Sequence, residues 1–267
     1  MNKVLEGLEN GYKIYQDKDS FNFGVDTVLL SNFVISEYGL IPDNKMINEN
    51  GLNICDLCTG SLPIPLLLYA RRKEHLIENI RILAFEIDKE QVVICNDSIL
   101  YNLENAKDIN SDGKNIKDNI IVINDDLKNI YLDKEKKFSY FGGKEKAYKN
   151  LYETFDIVTC NPPYIKKGSG IVNVNDKKKL ARHEYSVEFD DICKVASLIL
   201  KSNRRFYFIH HTERLIELLI TLKKYNLEPK KLKFIYTNAE KSASLVLIEA
   251  VKNGSEGVII LKSEILN

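Results

Sequence analysis

The sequence predicts an α/β fold: a mostly parallel seven-stranded sheet with an antiparallel last strand and helices on both faces. Three observations carry this. Asn53-Ile54-Cys55-Asp56-Leu57 reads as a short buried strand that runs through the small-residue turn Cys58-Thr59-Gly60-Ser61-Leu62-Pro63 into a helical run over 64–71. In open α/β sheets a turn of this kind sits at the carboxyl edge, where ligands bind. The apolar run Phe155-Asp156-Ile157-Val158-Thr159-Cys160 passes directly into Asn161-Pro162-Pro163-Tyr164, joining a buried-strand signal to a stiff polar turn. Finally, 267 residues with 44% hydrophobic content suffice for one large core, or a core with a small appendage.

The elements follow in order. Residues 1–50 read as an N-terminal extension packing on the core: an extended segment Tyr12-Lys13-Ile14-Tyr15, a helix over about 26–38 and a loop around Pro42-Asp43-Asn44. Residues 51–267 form the main domain. After the first strand, turn and helix comes a second strand, Ile80-Arg81-Ile82-Leu83-Ala84-Phe85, ending in Glu86. Asp88 then caps a helix, with Gln91 spaced to complete a capping box. A third strand, Ile120-Ile121-Val122-Ile123, runs into Asn124-Asp125-Asp126-Leu127-Lys128. The charged, aromatic-spotted stretch over 127–152 is longer than the usual connector; it reads either as a flexible insertion near the substrate or as a helix with a long lead-in. Beyond the proline turn, Gly168-Ser169-Gly170 and the polar run to Lys179 suggest a mobile substrate loop over 164–187. A helix over 189–200, a strand over 205–209 and a helix over 213–225 follow. Two strands, 233–236 and 245–248, are close enough to pair antiparallel.

The proline turn has a chemistry of its own. Proline fixes its own φ and pushes the preceding residue toward extended geometry, so Pro162 and Pro163 hold Asn161 and the Pro162 carbonyl in one orientation. Two oxygens then face outward at a strand's carboxyl end, able to accept hydrogen bonds from an amino group, and Tyr164 offers an aromatic face for a planar group. The combination suits transfer at a planar nitrogen; the plainer reading is a strand-terminating turn. Upstream, Glu86 lies some twenty-odd residues after the first turn, a spacing suited to accepting both hydroxyls of a ribose. Asp126 is suited to take the hydrogens of an adenine amino group.

Asp56-Leu57-Cys58-Thr59-Gly60-Ser61, Phe85-Glu86-Ile87-Asp88, Asp126-Leu127-Lys128 and Asn161-Pro162-Pro163-Tyr164 occur in the order seen in Rossmann-like, class I S-adenosylmethionine-dependent methyltransferases, and the last motif resembles that of the amino-nitrogen methylators. More narrowly, the chain resembles the bacterial tRNA adenine-N6 methyltransferases that modify valine tRNA beside the anticodon. That likeness is carried by Phe23-Gly24-Val25-Asp26-Thr27-Val28-Leu29-Leu30-Ser31-Asn32-Phe33, Ala181-Arg182-His183-Glu184, His211-Thr212-Glu213-Arg214-Leu215 and Leu227-Glu228-Pro229-Lys230. The resemblance implies S-adenosylmethionine as cofactor, with Asp56, Thr59 and Gly60 at its amino-acid part, Glu86 and Ile87 at the ribose, Asp126 and Leu127 at the adenine, and Asn161 beside them. Asp26 lines the same pocket on this resemblance, or serves as an N-cap ahead of Thr27. Asn161, Pro162 and Tyr164 carry catalysis; Pro163, Tyr164, Lys166, Lys167, Arg182 and His183 meet the substrate. Relatives have glycine where this chain has Cys58 and Leu62, and a β-carbon at Leu62 crowds the methionine moiety if that position takes positive φ.

Composition limits the partners. Lys+Arg and Asp+Glu both number 38, so there is no global nucleic-acid signature and RNA contact must be local. Two patches qualify: Lys166-Lys167 with Lys177-Lys178-Lys179 and Arg182, and Lys223-Lys224 with Lys230, Lys231 and Lys233; each reads equally as solvated surface. Five cysteines without an apolar leader or a membrane-length run point to a cytoplasmic protein. The Cys55–Cys58 spacing lacks a second pair or partnering histidines, so no metal is expected. RNA, above all tRNA, is the expected partner of a monomer that binds neither metal nor membrane. Glutamine-N5 methyltransferases of release factors also use Asn-Pro-Pro-Tyr, but they resemble one another in a larger helical domain, and only 55 residues precede Asp56 here. A degenerate RNA-binding relative is the non-enzymatic alternative.

Overall fold

The computed structural model describes residues 2–18, 24–39, 51–72, 79–106, 115–163, 187–238 and 240–266. Strands β1 (Lys3–Gly7) and β2 (Lys13–Asp17) pair antiparallel, and helix α1 (Val25–Gly39) follows. Then come β3 (Leu52–Leu57), α2 (Pro63–Arg71), β4 (Ile80–Glu86), α3 (Lys89–Asn105), α4 (Ile116–Asn119), β5 (Ile120–Asn124) and α5 (Asn129–Leu132). A small antiparallel hairpin, β6 (Lys137–Tyr140) and β7 (Lys144–Ala147), precedes β8 (Phe155–Cys160). The chain ends with α6 (Phe189–Ile199), β9 (Leu200–His211), α7 (Leu215–Lys224), β10 (Leu227–Tyr236), β11 (Leu245–Lys252), β12 (Ile259–Ile260) and β13 (Glu264–Ile265).

The main sheet has the order β12-β10-β11-β9-β8-β3-β4-β5, with β13 also on β10. Strands β5, β4, β3, β8 and β9 are mutually parallel, whereas β11 is antiparallel to both β9 and β10. The seven expected strands are all here with the last of them, β11, reversed. The count is corrected from seven to nine by the two-residue strands β12 and β13, which lie parallel to β10 and are too short to leave a signal in the pattern. From β3 the chain moves outward to β4 and β5, then returns to β8 on the other side of β3. That reversal makes the carboxyl ends of β3 and β8 a topological switch point, where ligands bind in such sheets.

Alternation along the strands divides the core. Cys55, Leu57, Val158, Cys160, Phe206 and Phe208 face one buried cluster, and Ile54, Ile157, Tyr207 and Ile209 face the other, as the period of two requires. The first cluster is covered by α6, α7 and the 127–152 segment; the second by α1, α2 and α3. Burial on both faces explains why β3, β4 and β8 read as nearly continuous apolar runs.

The 127–152 segment departs from expectation. In place of a flexible insertion or one long helix, it folds as α5, the β6–β7 hairpin and a 3-10 turn over Tyr148–Leu151. Phe138, Tyr140, Tyr148 and Leu151 are buried, and Phe138 stacks on Tyr148 at 5.0 Å. At the N-terminus, the β2 backbone is tied to α3. The Lys13 amide donates to Asn102 Oδ1 (2.8 Å), Asn102 Nδ2 returns a bond to the Lys13 carbonyl (2.6 Å), and the Tyr15 amide donates to Ser98 Oγ (2.9 Å).

Candidate active site

Two turns meet at the switch point, one after β3 and one after β8. In the first, Cys58 (φ 59), Gly60 (φ 59) and Leu62 (φ 81) all adopt the left-handed conformation. The backbone therefore keeps the geometry of a triple-glycine turn with glycine at only one of the three positions, against a steric preference of roughly 1–2 kcal/mol at each of the others. Leu62 N-caps α2 without a side-chain hydrogen bond, and Pro63 occupies the first helical position, where its missing N–H is no loss. The Leu62 side chain is fully buried in the cluster beneath α1, α2 and α3. The expected crowding of a methionine moiety is thus answered by packing: φ is positive, and the isobutyl group is spent on the core.

Asp56, the penultimate residue of β3, has no exposed surface. It faces Thr159 across the β3–β8 register, and the Thr159 hydroxyl donates to Asp56 Oδ1 at 2.5 Å. Burial pushes the Asp56 carboxyl up to about 7, against the Thr159 hydrogen bond and the neighbouring Thr59 hydroxyl, with Glu86 adding to the rise. Asp56 Oδ2 and Thr59 Oγ1 are among the buried side-chain atoms that make no close hydrogen bond in the described residues, and the two side chains lie near enough for the Thr59 hydroxyl to favour the Asp56 carboxylate. A β-carbon built on Gly60 would meet nothing within 4 Å, so the turn has open space beside these polar atoms.

Glu86 ends β4 one strand away. Its Oε2 accepts from the Gly60 amide and its Oε1 from the Asp88 amide, each at 2.8 Å. Burial raises its pKa against those two bonds. The carboxylate thus ties the two turns together, with the Ile87 amide adding a further, weaker contact that favours its ionised form. Asp88 caps α3 by accepting from the Glu90 amide at 2.9 Å, and Ile87 is partly exposed beside it (38%). After β5 the neighbouring acids divide. Asp125 accepts from Tyr148 Oη (2.6 Å) and Asn129 Nδ2 (2.8 Å) and pairs with Lys136 (2.6 Å). Burial opposes its ionisation, yet these contacts hold its carboxyl below the usual range. Asp126, half-buried, accepts from the Lys128 amide at 2.9 Å, while Leu127 is buried in the core (5%).

In the second turn Asn161 is half-buried, Pro162 buried and Pro163 exposed. Asn161 Nδ2 donates to Asp26 Oδ2 and Thr27 Oγ1, each at 3.1 Å, which brings the first turn of α1 to the end of β8. The structure thus gathers Asp26, Asp56, Thr59, Gly60, Glu86 and Asn161 at one sheet edge. Tyr164, Lys166, Lys167, Arg182 and His183, with the first basic patch, lie outside the described residues.

Two site side chains were assigned no role by the sequence. Thr159 is marked only as a hydroxyl inside a buried strand run, and Thr27 only by following Asp26. The second basic patch is spoken for internally. Lys223 pairs with Glu228, Lys224 with Asp190, Lys231 with Glu37 and Glu249, and Lys233 with Glu264, while Lys230 donates to the carbonyls of Ser255 and Glu256. His210 is buried at the end of β9; burial first, then Arg214 and His211, lower its pKa to about 4. Among the described residues, no group of three or more His, Cys, Asp or Glu is placed to hold a metal ion, and no helix is long and apolar enough to cross a membrane.

No protein-family model matches the chain. It is 30% identical over 95 residues to the tRNA1(Val) (adenine(37)-N6)-methyltransferase of Aliivibrio salmonicida, a stretch covering 36% of this chain and 40% of that relative. Among solved structures, protein Atu636 of Agrobacterium tumefaciens, described as a predicted O-methyltransferase, superposes with a TM-score of 0.58 at 18% identity, over 90% of this chain and 86% of that one. TYW2 of Pyrococcus horikoshii, solved with MeSAdo, gives 0.51 at 13% over 95% and 72%. Methanocaldococcus jannaschii Trm5, solved with adenosine, gives 0.53 at 10% over 95% and 56%. With the strand order and the reversed β11, these likenesses establish that the chain has the fold of the Rossmann-like, class I methyltransferases.

Proposed function

We propose that the protein transfers a methyl group from S-adenosylmethionine to the exocyclic N6 of an adenine in RNA, and that the RNA is a tRNA modified beside the anticodon. The observation that carries this reading is the convergence of the Asp56–Gly60 turn and the Asn161-Pro162-Pro163 turn on adjacent parallel strands at the switch point. Buried Asp56 Oδ2 and Thr59 Oγ1, beside open space at Gly60, fit the ammonium and carboxylate of an amino-acid moiety. Glu86 fits the ribose and Asp126 the adenine amino group. The relative in Aliivibrio salmonicida supports the tRNA and the adenine N6 atom.

When bound, S-adenosylmethionine supplies a methyl on a cationic sulfur that leaves as a neutral thioether. The protein's own task is to prepare the acceptor. An adenine amino nitrogen is a poor nucleophile because its lone pair is delocalised into the ring. Hydrogen bonds from that amine to Asn161 Oδ1 and the Pro162 carbonyl favour a pyramidal nitrogen, freeing the lone pair to form the N–C bond; the amine then releases one proton to water. No strong base is needed, so positioning and fixed dipoles supply most of the acceleration. An unpaired loop base is also cheaper to extract than one in a duplex.

The test is incubation with labelled cofactor and bulk tRNA lacking the modification, followed by digestion to nucleosides. Label in N6-methyladenosine is expected. Label in another nucleoside, or in added release factor instead of tRNA, rejects the assignment.

A further inference from the structure

The hydrogen bonds from Asn161 Nδ2 to Asp26 Oδ2 and Thr27 Oγ1, each 3.1 Å, join residues 135 and 134 positions apart. The transfer reading uses only the oxygen of Asn161, so the nitrogen end needs its own account. The terminal torsion of an asparagine is broad and roughly two-fold, so an unrestrained carboxamide presents its NH2 and its oxygen to the same place by turns. An amine about to be methylated can donate only to the oxygen. A carboxylate against one end removes the ambiguity: ionised Asp26 can only accept, so Nδ2 must face it and Oδ1 must take the other side.

We propose that Asp26 and Thr27 form the positioning pair of the transfer site, orienting and polarising the Asn161 carboxamide so that Oδ1 faces the substrate amine. This rests on the methyl-transfer reading above. Drawing the amide hydrogens toward a negative oxygen shifts density onto Oδ1, and coupled hydrogen bonds of this kind strengthen one another in a partly buried setting. The Asp26 charge, one hydrogen bond behind the acceptor, also favours the positive charge that grows on the amine as it takes the methyl.

The pair is itself well held. Thr27 is nearly buried (3%), and its amide donates to Asp26 Oδ1 at 3.0 Å. A β-carbon at Gly24 would lie 2.7 Å from Asp26 Oδ1, so glycine there leaves the carboxylate its place. Helix α1, which carries both residues, is seated on β9 through the edge-to-face contact of Phe33 with Tyr207, 5.7 Å between centroids. Asp26 is thereby assigned to the acceptor side of the site, in contrast to the cofactor role that the resemblance implies.

The experiment compares wild-type protein with Asp26→Ala, Asp26→Asn, Thr27→Val and Asn161→Ala, measuring kcat on unmodified bulk tRNA, Kd for S-adenosylmethionine, and the shift of the Asn161 side-chain amide protons by 15N NMR. Asp26→Ala should lower kcat by roughly tenfold to a hundredfold, the usual effect of removing a residue that orients a reacting group, with cofactor Kd changed less than twofold. Asp26→Asn, which keeps an acceptor without the charge, should recover part of the rate, and Asp26→Ala should add nothing in the Asn161→Ala background. A Kd that rises as far as kcat falls makes Asp26 a cofactor ligand and overturns the proposal; so does an unchanged kcat. If wild-type protein transfers no methyl, or Asn161→Ala transfers at the wild-type rate, the methyl-transfer reading fails. The amide resonances still decide the pairing in that case: an upfield move in Asp26→Ala upholds it, and an unmoved shift overturns it.

Discussion

Replacing Leu62 by glycine, the residue that the family resemblance implies there, sets two effects of known sign against each other. At φ 81 and ψ 23, leucine bears a left-handed penalty of roughly 1–2 kcal/mol that glycine does not. The same side chain is fully buried, with no exposed surface. Truncating a leucine in such a site costs roughly 3–5 kcal/mol, and glycine's greater freedom in the unfolded chain adds roughly 0.5–1 kcal/mol. Burial wins: Leu62→Gly should destabilise by about 3 kcal/mol, which for a chain of 267 residues lowers Tm by about 5 °C. Leu62→Ala loses the same packing and keeps the strain, so it should be less stable than Leu62→Gly by roughly 0.5–1 kcal/mol. Denaturant titration of the three proteins checks the order. A glycine variant as stable as wild type, or less stable than the alanine variant, would refute the balance. Cofactor affinity should be unchanged in Leu62→Gly; a tenfold gain would mean that the side chain obstructs the site after all.

Three further outcomes follow from the geometry. Asn161→Ala should keep its cofactor Kd by calorimetry while losing at least a hundredfold in methyl transfer; equal losses in both would make the turn a structural support. Asp56 holds its proton to about pH 7 in the folded chain against 3.8 ordinarily, so between those values the folded state binds more protons than the unfolded one and stability must fall as pH rises. The drop attributable to this group is on the order of 4 kcal/mol, and Asp56→Asn should flatten the stability profile between about pH 4 and pH 7, whereas a parallel profile would show that Asp56 is not the group. Because the ionised carboxylate is the form that attracts a cationic cofactor, Kd should tighten by about tenfold from pH 6 to pH 8 in wild type and stay level in Asp56→Asn. Finally, replacing Lys224, Lys230 and Lys233 together by methionine should leave tRNA affinity and its salt slope unaltered, since each already serves a carboxylate or carbonyl; a shallower slope would show that they bind phosphate.

What could be read in advance follows the range of the forces involved. Strands β3, β4 and β8 are buried on both faces, so their apolar runs are visible locally, and the turns that end β3 and β8 carry proline and small residues whose constraints act over one or two positions. The 127–152 segment was not legible in this way. Its Phe138 and Tyr140 alternate on a four-residue strand too short to stand out, and they join Tyr148 in one cluster only when the hairpin folds back over β4 and β5. The ion pairs of the lysines over 223–233 were hidden for a related reason: their carboxylate partners Glu37, Asp190, Glu249 and Glu264 are brought in by other elements.

By itself, the sequence determined the α/β class, the antiparallel final strand and the positions of Asp56, Glu86, Asp126 and Asn161 at strand ends, because periodicity and turn chemistry are local properties of the chain. Only the tertiary structure decided how those ends are used. Thr159 reaches Asp56 across the β3–β8 pairing, Glu86 closes on the Gly60 amide, Leu62 turns its strained side chain into the core, and Asp26 takes hold of Asn161 from the far end of the chain. Each of these depends on a register or a packing contact between segments distant in sequence, and hydrogen bonds of about 3 Å are made only after the sheet has set the distances.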